Sequence, residues 1–394
     1  MAQFVEIKLI PRSPLVLSQS RNNQMLSSLE YVSGSTLRGA FAALYQSVNG
    51  MDGDFQKIFS ASNRFPYLFL SQSGQTAFPF PKTAYSCKRY NGFETEVDKN
   101  GRNHHGVVDL LFLEALKGTC HRGKESLSFQ NYFDSSYRCS VCHEDRKPLQ
   151  GYFLENRQVK LFKGQRTHVG IDRWSGTARP QILYFLEFVQ LPDQSSDYCL
   201  RGVGRWEEKA FEKLKELEHY PLFLGKSRTR GYGECSWQLQ IQNPPSLDAF
   251  EQTLESFSKE AAEYCKVQKE RWIFSLTVQT PTILVDAFLR YTAQEKEILR
   301  WLGLEAAELL YSYSELQPVW GWNMAHGMPK EEEWAIAPSS VYLCSARRSK
   351  ENLKRLHHIH HQGIGLRQEE GFGQVWISHS FHVQYAVKKE ENNG

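Results

Sequence analysis

"GKSRTRGYGECSW" (225–237) and "GLRQEEGFGQVW" (365–376) share one skeleton: glycine, five residues, glycine, an aromatic residue, glycine, then a strand-like run containing a tryptophan. Glycines so spaced make a sharp turn between a helix and a strand. They also leave backbone N–H groups uncovered as a nest for an anion. The flanks of each copy decide the fold. "RWEEKAFEKLKELEHY" (205–220) precedes the first copy, with Trp206, Ala210, Leu214 and Leu217 at helical spacing, and "CSWQLQIQ" (235–242) follows as a strand. "SKENLKRLHHIHHQ" (349–362) precedes the second, and "QVWISHSFHVQYAV" (374–387) closes it as a strand. Helix, loop, strand is the reverse of a dinucleotide-binding turn. The lead glycine of a P-loop is also missing.

Farther out, "FVEIKLI" (4–10) alternates as a half-buried strand. "YVSGSTLRGAFAALYQSV" (31–48) places Ser and Thr before an apolar-periodic run, a helix start. "PQILYFLEFVQL" (180–191) reads as the strand that returns to the first glycine loop. In the other half, "RWIFSLTVQTPTILV" (271–285) is a strand with a proline-marked kink, and "TAQEKEILRWLGLEAAELLYSYS" (292–314) is a helix. "LQPVWGWNMA" and "EWAIAPSSVYLCS" form a hairpin, and 349–362 is the second helix. Strand, helix, two strands, helix, strand is the split βαβ order. The expectation is an α+β protein with two ferredoxin-like domains in tandem. The first spans 1–242 and carries an insertion at about 50–170; a linker helix capped by Ser246 covers 243–270; the second domain is 271–394.

Composition agrees with a globular chain. Of 394 residues 13% are aromatic and 23% charged, which excludes a disordered polymer. The net charge of +3 permits a nucleic-acid partner without demanding one. "MAQFVEIKLI" (1–10) reads as a strand and not as a secretory leader, and no apolar run approaches the roughly 18 residues of a membrane span. A cytoplasmic location with no membrane partner is expected. The cysteines are then thiols or metal ligands more readily than disulfides.

Four of the eight cysteines fall between 87 and 142. Cys139 and Cys142 form a C-x-x-C knuckle, with Cys120 and Cys87 upstream. Four thiolates suit a tetrahedral structural zinc, which would staple an insertion that lacks clear periodicity. His121 and His143 sit beside ligand candidates and leave the fourth ligand open; reduced free thiols are the alternative. Cys199, Cys235, Cys265 and Cys344 read as core or surface thiols.

The first glycine loop offers Lys226, Arg228 and Arg230 among Gly225, Gly231 and Gly233. Such cations attract phosphate. Tyr232 and Phe372 are flat faces on which a base can stack. The second copy holds only Arg367, beside Glu369 and Glu370, and reads as weaker or structural. His168, Asp172 and Arg173 lie in "THVGIDR" (167–173), as an acid–base pair or as a hydrogen-bonded turn. "HHIHH" (357–361) is a metal or general-base candidate, or a polar helix face; the polar face is expected.

With these segments in hand, the chain resembles the RAMP superfamily of CRISPR-associated proteins. The carriers are the two glycine loops, "GSTLRGAF" at the opening of the first helix, and the His-x-x-Ile-Asp segment before 180–191. The tandem form is similar to the Cas-five-like subunit of type III effector complexes, and the length and cysteine-bearing insertion most resemble the type III-D version. The resemblance implies a non-catalytic RNA-binding scaffold that holds the 5′ handle of the CRISPR RNA. Its partners would be that RNA, the large polymerase-like subunit and backbone RAMP subunits, with target RNA met indirectly. Ser35, Thr36 and Arg38 would meet phosphate at a helix N-terminus. Lys226, Arg228 and Arg230 would line the loop, with His168, Arg173 and Arg367 as further RNA contacts. Relatives that cut RNA use a histidine, often near the N-terminal segment, and residues 1–45 hold none. The alternatives are an endoribonuclease that processes CRISPR RNA, and a backbone subunit that cuts target RNA with an acid such as Asp109 or Asp134.

Overall fold

The strand expected at 4–10 is the centre of the first sheet. A computed structural model describes residues 2–17, 25, 26, 28–98, 100–120, 136–192, 197–265, 267, 268, 270–323 and 326–387, the side chains of 25, 26, 118–120 and 180–182 aside. Strand β1 (Ala2–Pro11) buries Val5, Ile7 and Leu9 on one face, as its alternation requires. Helix α1 (Gly34–Asn49) begins after Ser33, whose hydroxyl accepts from Thr36 N–H at 3.3 Å, and stops at Gly50 with φ +76°. Strand β2 (Phe69–Gln72) follows.

Two longer strands come next, β3 (Phe162–Ile171) and β4 (Ala178–Gln190). They pair antiparallel with each other as a projecting hairpin, Thr167 opposite Phe185 and His168 opposite Tyr184. The run 180–191 is therefore not the returning strand of the first sheet. That strand is β5 (Tyr198–Glu207), antiparallel to β1 with Ile7 opposite Gly202. Its glycines disguise it as a loop in the sequence. A side chain at Gly202 or Gly204 would strike the carbonyls of Tyr67 and Arg64, so the strand is held to glycine by close backbone approach. Trp206, next to last in this strand, is fully buried, and helix α2 (Glu208–Lys215) starts after Glu207, shorter than the 205–220 expected. With strand β6 (Glu234–Gln242) the four central strands run β6–β1–β5–β2, the order of a split βαβ unit, and the two-residue strands Leu222–Phe223 and Gln75–Thr76 edge the sheet. The excess chain lies between residues 77 and 197, later than 50–170, because β2 belongs to this sheet. Beneath the sheet, Phe41 meets Trp237 edge-on at 4.9 Å and Trp206 at 5.9 Å.

Helix α3 (Leu247–Ala262) is capped by Ser246, as read. It is more than a linker: Phe250 and Leu254 join the second core, and Trp272 Nε1 donates to Glu255 at 2.9 Å. The second unit runs β7 (Arg271–Val278), α4 (Glu295–Leu302), β8 (Glu308–Tyr313), β9 (Val341–Arg347), α5 (Lys350–Gln362) and β10 (Val375–Ile377). The sheet order β8–β9–β7–β10 repeats the first. The expected helix 292–314 ends at Gly303, φ +62°, and its remainder is β8. The expected last strand is only three residues long, followed by the short helix α6 (Phe381–Gln384). Strands Leu316–Val319 and Glu333–Ile336 pair as a hairpin where one was expected, but as a two-stranded sheet of their own; the middle strands of the main sheet are β8 and β9. No helix among the described residues is long and apolar enough to cross a membrane.

Candidate nucleic-acid interface

The two glycine loops match bond for bond. Gly225, Ser227, Gly231 and Gly233 have positive φ, and so do Gly365, Arg367, Gly371 and Gly373. A single 3₁₀ turn fills each middle, Arg228–Arg230 and Gln368–Glu370. Lys226 N–H donates to Val16 O at 3.0 Å, and Leu366 N–H to Ile283 O at 3.0 Å. Gly233 N–H donates to Pro14 O at 2.9 Å, and Gly373 N–H to Pro281 O at 3.0 Å. A Cβ at Gly233 or Gly373 would collide with the carbonyl of Leu224 or Ile364, so these two positions exclude every other residue.

What surrounds the loops differs. The second is plugged into the first unit. Phe65 N–H donates to Glu369 O at 3.0 Å, and Gly34, at the start of α1, lies against the Glu370 carbonyl. Glu370 is buried and paired with Lys330 at 2.5 Å, with Arg38 at 3.8 Å and with Arg367. Arg367 also binds Glu333 and lies over the Phe372 ring. Arg367 is therefore an internal ion-pair residue and not an RNA contact. Arg38 donates to the Phe59 carbonyl as well as meeting Glu370, which spends its charge inside the protein. Ser35 and Thr36 stand in the first turn of α1 with their hydroxyls against Ser33 Oγ at 3.1 and 2.9 Å.

In the first loop Lys226, Arg228 and Arg230 are all exposed. Arg230 donates to Tyr184 OH and lies over that ring, and Tyr184 also stacks with His168 at 5.3 Å and 15°. Two sequence candidates, His168 and Arg230, are thus brought together by Tyr184, which sequence reasoning missed. The only signal for it was the register of a hairpin not yet recognised. Arg166, next on the same face of β3, lies over Tyr232 and Phe188. Tyr232 itself is only 2% exposed and packs with Val16, Leu186 and Phe188. Its ring is core, not a stacking platform; Phe372 at 3% is the same. Asp172 closes the hairpin turn, accepting from Trp174 N–H at 2.9 Å and Ser175 N–H at 3.0 Å. These bonds hold its carboxyl below the usual carboxylate range. The turn reading of "GIDR" holds, and it presents Arg173 and a 98% exposed Trp174 at the hairpin tip.

A model of the RAMP superfamily matches residues 26–236, more than half of the chain, from before α1 to the strand after the first loop. The chain belongs to the RAMP superfamily. No protein of curated function matches it significantly. Among solved structures it is similar to a chain of the type III-B Cmr-beta complex bound to cognate target RNA and AMPPnP, at 13% identity over 86% of each chain with a TM-score of 0.43. It is also similar to a chain of the Csm3–Csm4 subcomplex of a type III-A CRISPR–Cas interference complex (12% identity, 88% and 92% covered, TM-score 0.37). A third is a Cas6-related protein from Pyrococcus furiosus (8% identity, 96% and 98% covered, TM-score 0.33).

This RAMP protein also gathers a thiol cluster in the excess chain. Cys87, His105, Cys139 and Cys142 bring one donor atom each within 4.8 Å of one another, an arrangement that could hold a metal. Cys87 Sγ lies 3.5 Å from Cys142 Sγ, and Cys139 Sγ 3.4 Å from His105 Nδ1. Tyr90 N–H points at Cys87 Sγ at 3.4 Å, and the Tyr90 ring backs His105 at 4.4 Å. Burial opposes the Cys139 thiolate, yet the N–H groups of Cys142 and Val141 and the His105 ring lower its pKa to about 7. The fourth donor is His105. The expected Cys120 closes the helix Leu111–Cys120, and its side chain lies outside the described residues, as do His121 and Asp134.

The "HHIHH" helix face is not solvated as expected. His360 accepts from Ile377 N–H at 3.2 Å and meets Trp376 at 4.9 Å, while His361 meets Phe4 of the first unit at 5.7 Å. Helix α5 closes on the first unit, where Arg64 and Arg205 bind Gln362 at 2.8 and 2.6 Å.

Proposed function

We propose that this RAMP protein is a non-catalytic RNA-binding subunit of a type III CRISPR effector complex, of the D subtype. It holds the 5′ handle of the CRISPR RNA and caps the assembly beside the large polymerase-like subunit and the backbone RAMP subunits. The observation that carries this reading is the contrast between the loops. One skeleton occurs twice; the second copy is neutralised by Glu370 and covered by α1, whereas the first is open and carries three exposed cations. Arg230 stands where the second copy has Glu370, so the docking carboxylate of one loop is a guanidinium in the other. The Lys226, Arg230, Gly231 and Gly233 N–H groups are bonded within the protein, so it is the exposed Lys and Arg side chains of the first copy that suit a phosphate backbone. His168, Tyr184 and Arg166 extend the same face along the hairpin.

The same geometry speaks against cleavage. Acid–base catalysis needs a positioned pair. Asp172 is committed to its turn, and His168 makes no hydrogen bond to a carboxylate among the described residues. Asp109 is sealed in the interior at 1% exposure. Within this reading Cys87, His105, Cys139 and Cys142 hold a structural zinc, three thiolates and an imidazole being a closed tetrahedral set.

The test is incubation of the full chain with repeat-derived CRISPR RNA, with and without magnesium. Binding without cleavage is expected. Cleavage in the absence of metal would instead make this the processing endoribonuclease.

A further inference from the structure

Beside the open loop lies a groove of about 610 Å³ between α1 and the segment 220–223. Its floor is Ala40, Ala43 and Leu44 of α1, its wall is Tyr220 and Phe223, and Arg228 stands at its mouth. No carboxylate lines it. Tyr220 and Phe223 are 38% and 41% exposed, so both aromatic rings face out of the protein at this place. A cavity of a few hundred Å³ with apolar walls and one cation at its rim fits a flat ring that carries an anionic group.

We propose that this groove takes one splayed base of single-stranded RNA, whose phosphate rests on the Arg228 guanidinium. The proposal rests on the reading of the first loop as an RNA contact and adds where a base goes. Charge decides the occupant: Arg228 lines the groove with no acidic lining residue to balance it, and a neutral apolar peptide would leave that charge unmatched. Aromatic walls hold any base by its face, so the groove favours a nucleotide over an abasic phosphate without selecting sequence.

The test uses the full chain, a 12-nucleotide uridine oligomer and an abasic oligomer of equal length. The parent binds the uridine oligomer roughly fivefold or more tightly than the abasic one, the scale of one stacked base. Ala43→Leu fills the floor from an exposed position that need not unfold the chain. It removes most of that preference while leaving abasic affinity and its salt dependence unchanged. Photocrosslinking with 4-thiouridine places the adduct on Tyr220 or Phe223. Equal preference in parent and Ala43→Leu, or adducts confined to the hairpin, overturns the groove while leaving the loop reading intact. If neutralising Lys226, Arg228 and Arg230 alters binding of neither oligomer, the loop reading itself fails, and the groove proposal with it.

Discussion

Asp109 and His382, 273 residues apart, meet in the interior, with His382 Nδ1 donating to Asp109 Oδ2 at 3.0 Å. A carboxylate only accepts, so the ring proton sits on Nδ1, and Nε2 accepts from Thr277 Oγ1 at 2.8 Å. Thr83 Oγ1 donates to the same carboxylate oxygen at 3.0 Å. The Thr–His–Asp line looks like an acid–base relay, but all three residues are at most 1% exposed. It is a clasp. It ties the excess chain, through Asp109, to β7 and α6 of the second unit. Asp109→Ala leaves the buried His382 Nδ1–H without its acceptor, and such an unsatisfied donor costs about 1–3 kcal/mol. Urea unfolding should show that loss while RNA binding by the folded fraction is retained. An undiminished midpoint would mean the clasp contributes nothing.

Lys226, Arg228 and Arg230 changed together to Gln should flatten the salt dependence of RNA affinity. Each lost phosphate contact removes roughly 0.7 from the log–log slope for a single strand. The weakening should be alike for many RNA sequences, because phosphate contacts carry no base information. Arg367→Gln is the contrast: it should lower stability, through Glu333 and Glu370, and leave the slope unchanged. A salt titration of all three proteins decides.

Tyr232→Ala and Tyr184→Ala should separate core from surface. Tyr232 is packed, and truncating a buried aromatic residue costs about 3–5 kcal/mol. Tyr184 is partly exposed between His168 and Arg230, so its loss should weaken RNA binding by about 1–3 kcal/mol with little change in melting. The opposite pattern in melting and binding curves would reverse the two assignments.

Metal analysis of protein purified without chelator should give about one zinc per chain. His105→Ala and Cys142→Ser should each lose it and lower the melting temperature, and Cys120→Ser should keep it. Zinc lost in Cys120→Ser but retained in His105→Ala would restore the thiolate set expected from spacing alone.

Acid should loosen the second unit. Burial first, and neighbouring imidazoles second, lower His360 and His379 to about 3; burial and His357 lower His361 to about 4. A histidine depressed in the fold contributes its full stability above the unfolded value near 6.5 and loses it as pH falls toward the folded value. Each such group therefore costs about 1.4 kcal/mol per pH unit below 6.5. Urea midpoints should fall from pH 7 to pH 5, and His360→Gln should flatten that fall. Equal midpoints at the two pH values would show that these rings remain solvated.

The second unit was legible in part: β8 was hidden in the run read as a helix, and the hairpin read as two of its sheet strands forms a small sheet of its own between β8 and β9. The helix 349–362, its glycine loop and the hairpin before it carry local periodicity and turn chemistry, and they formed where read. The first unit hid its returning strand. Residues 198–207 lack the apolar alternation of 180–191, because two of their positions must be glycine under the Tyr67 and Arg64 carbonyls. The longer apolar run went instead to a projecting hairpin, whose outward Leu183 and Phe185 sequence could not tell from core.

The chain's own residues determined that a glycine loop occurs twice between helix and strand, since φ-permissive positions and helix periodicity are local properties. Only the tertiary structure decided which copy is free. Glu370 at one position and Arg230 at its counterpart become meaningful when α1 of the first unit closes over one loop and leaves the other open. His105 joins three cysteines, and Tyr184 joins His168 to Arg230, for the same reason. Distances of a few ångströms between residues dozens of positions apart are set by sheet register and packing, and no local pattern encodes them.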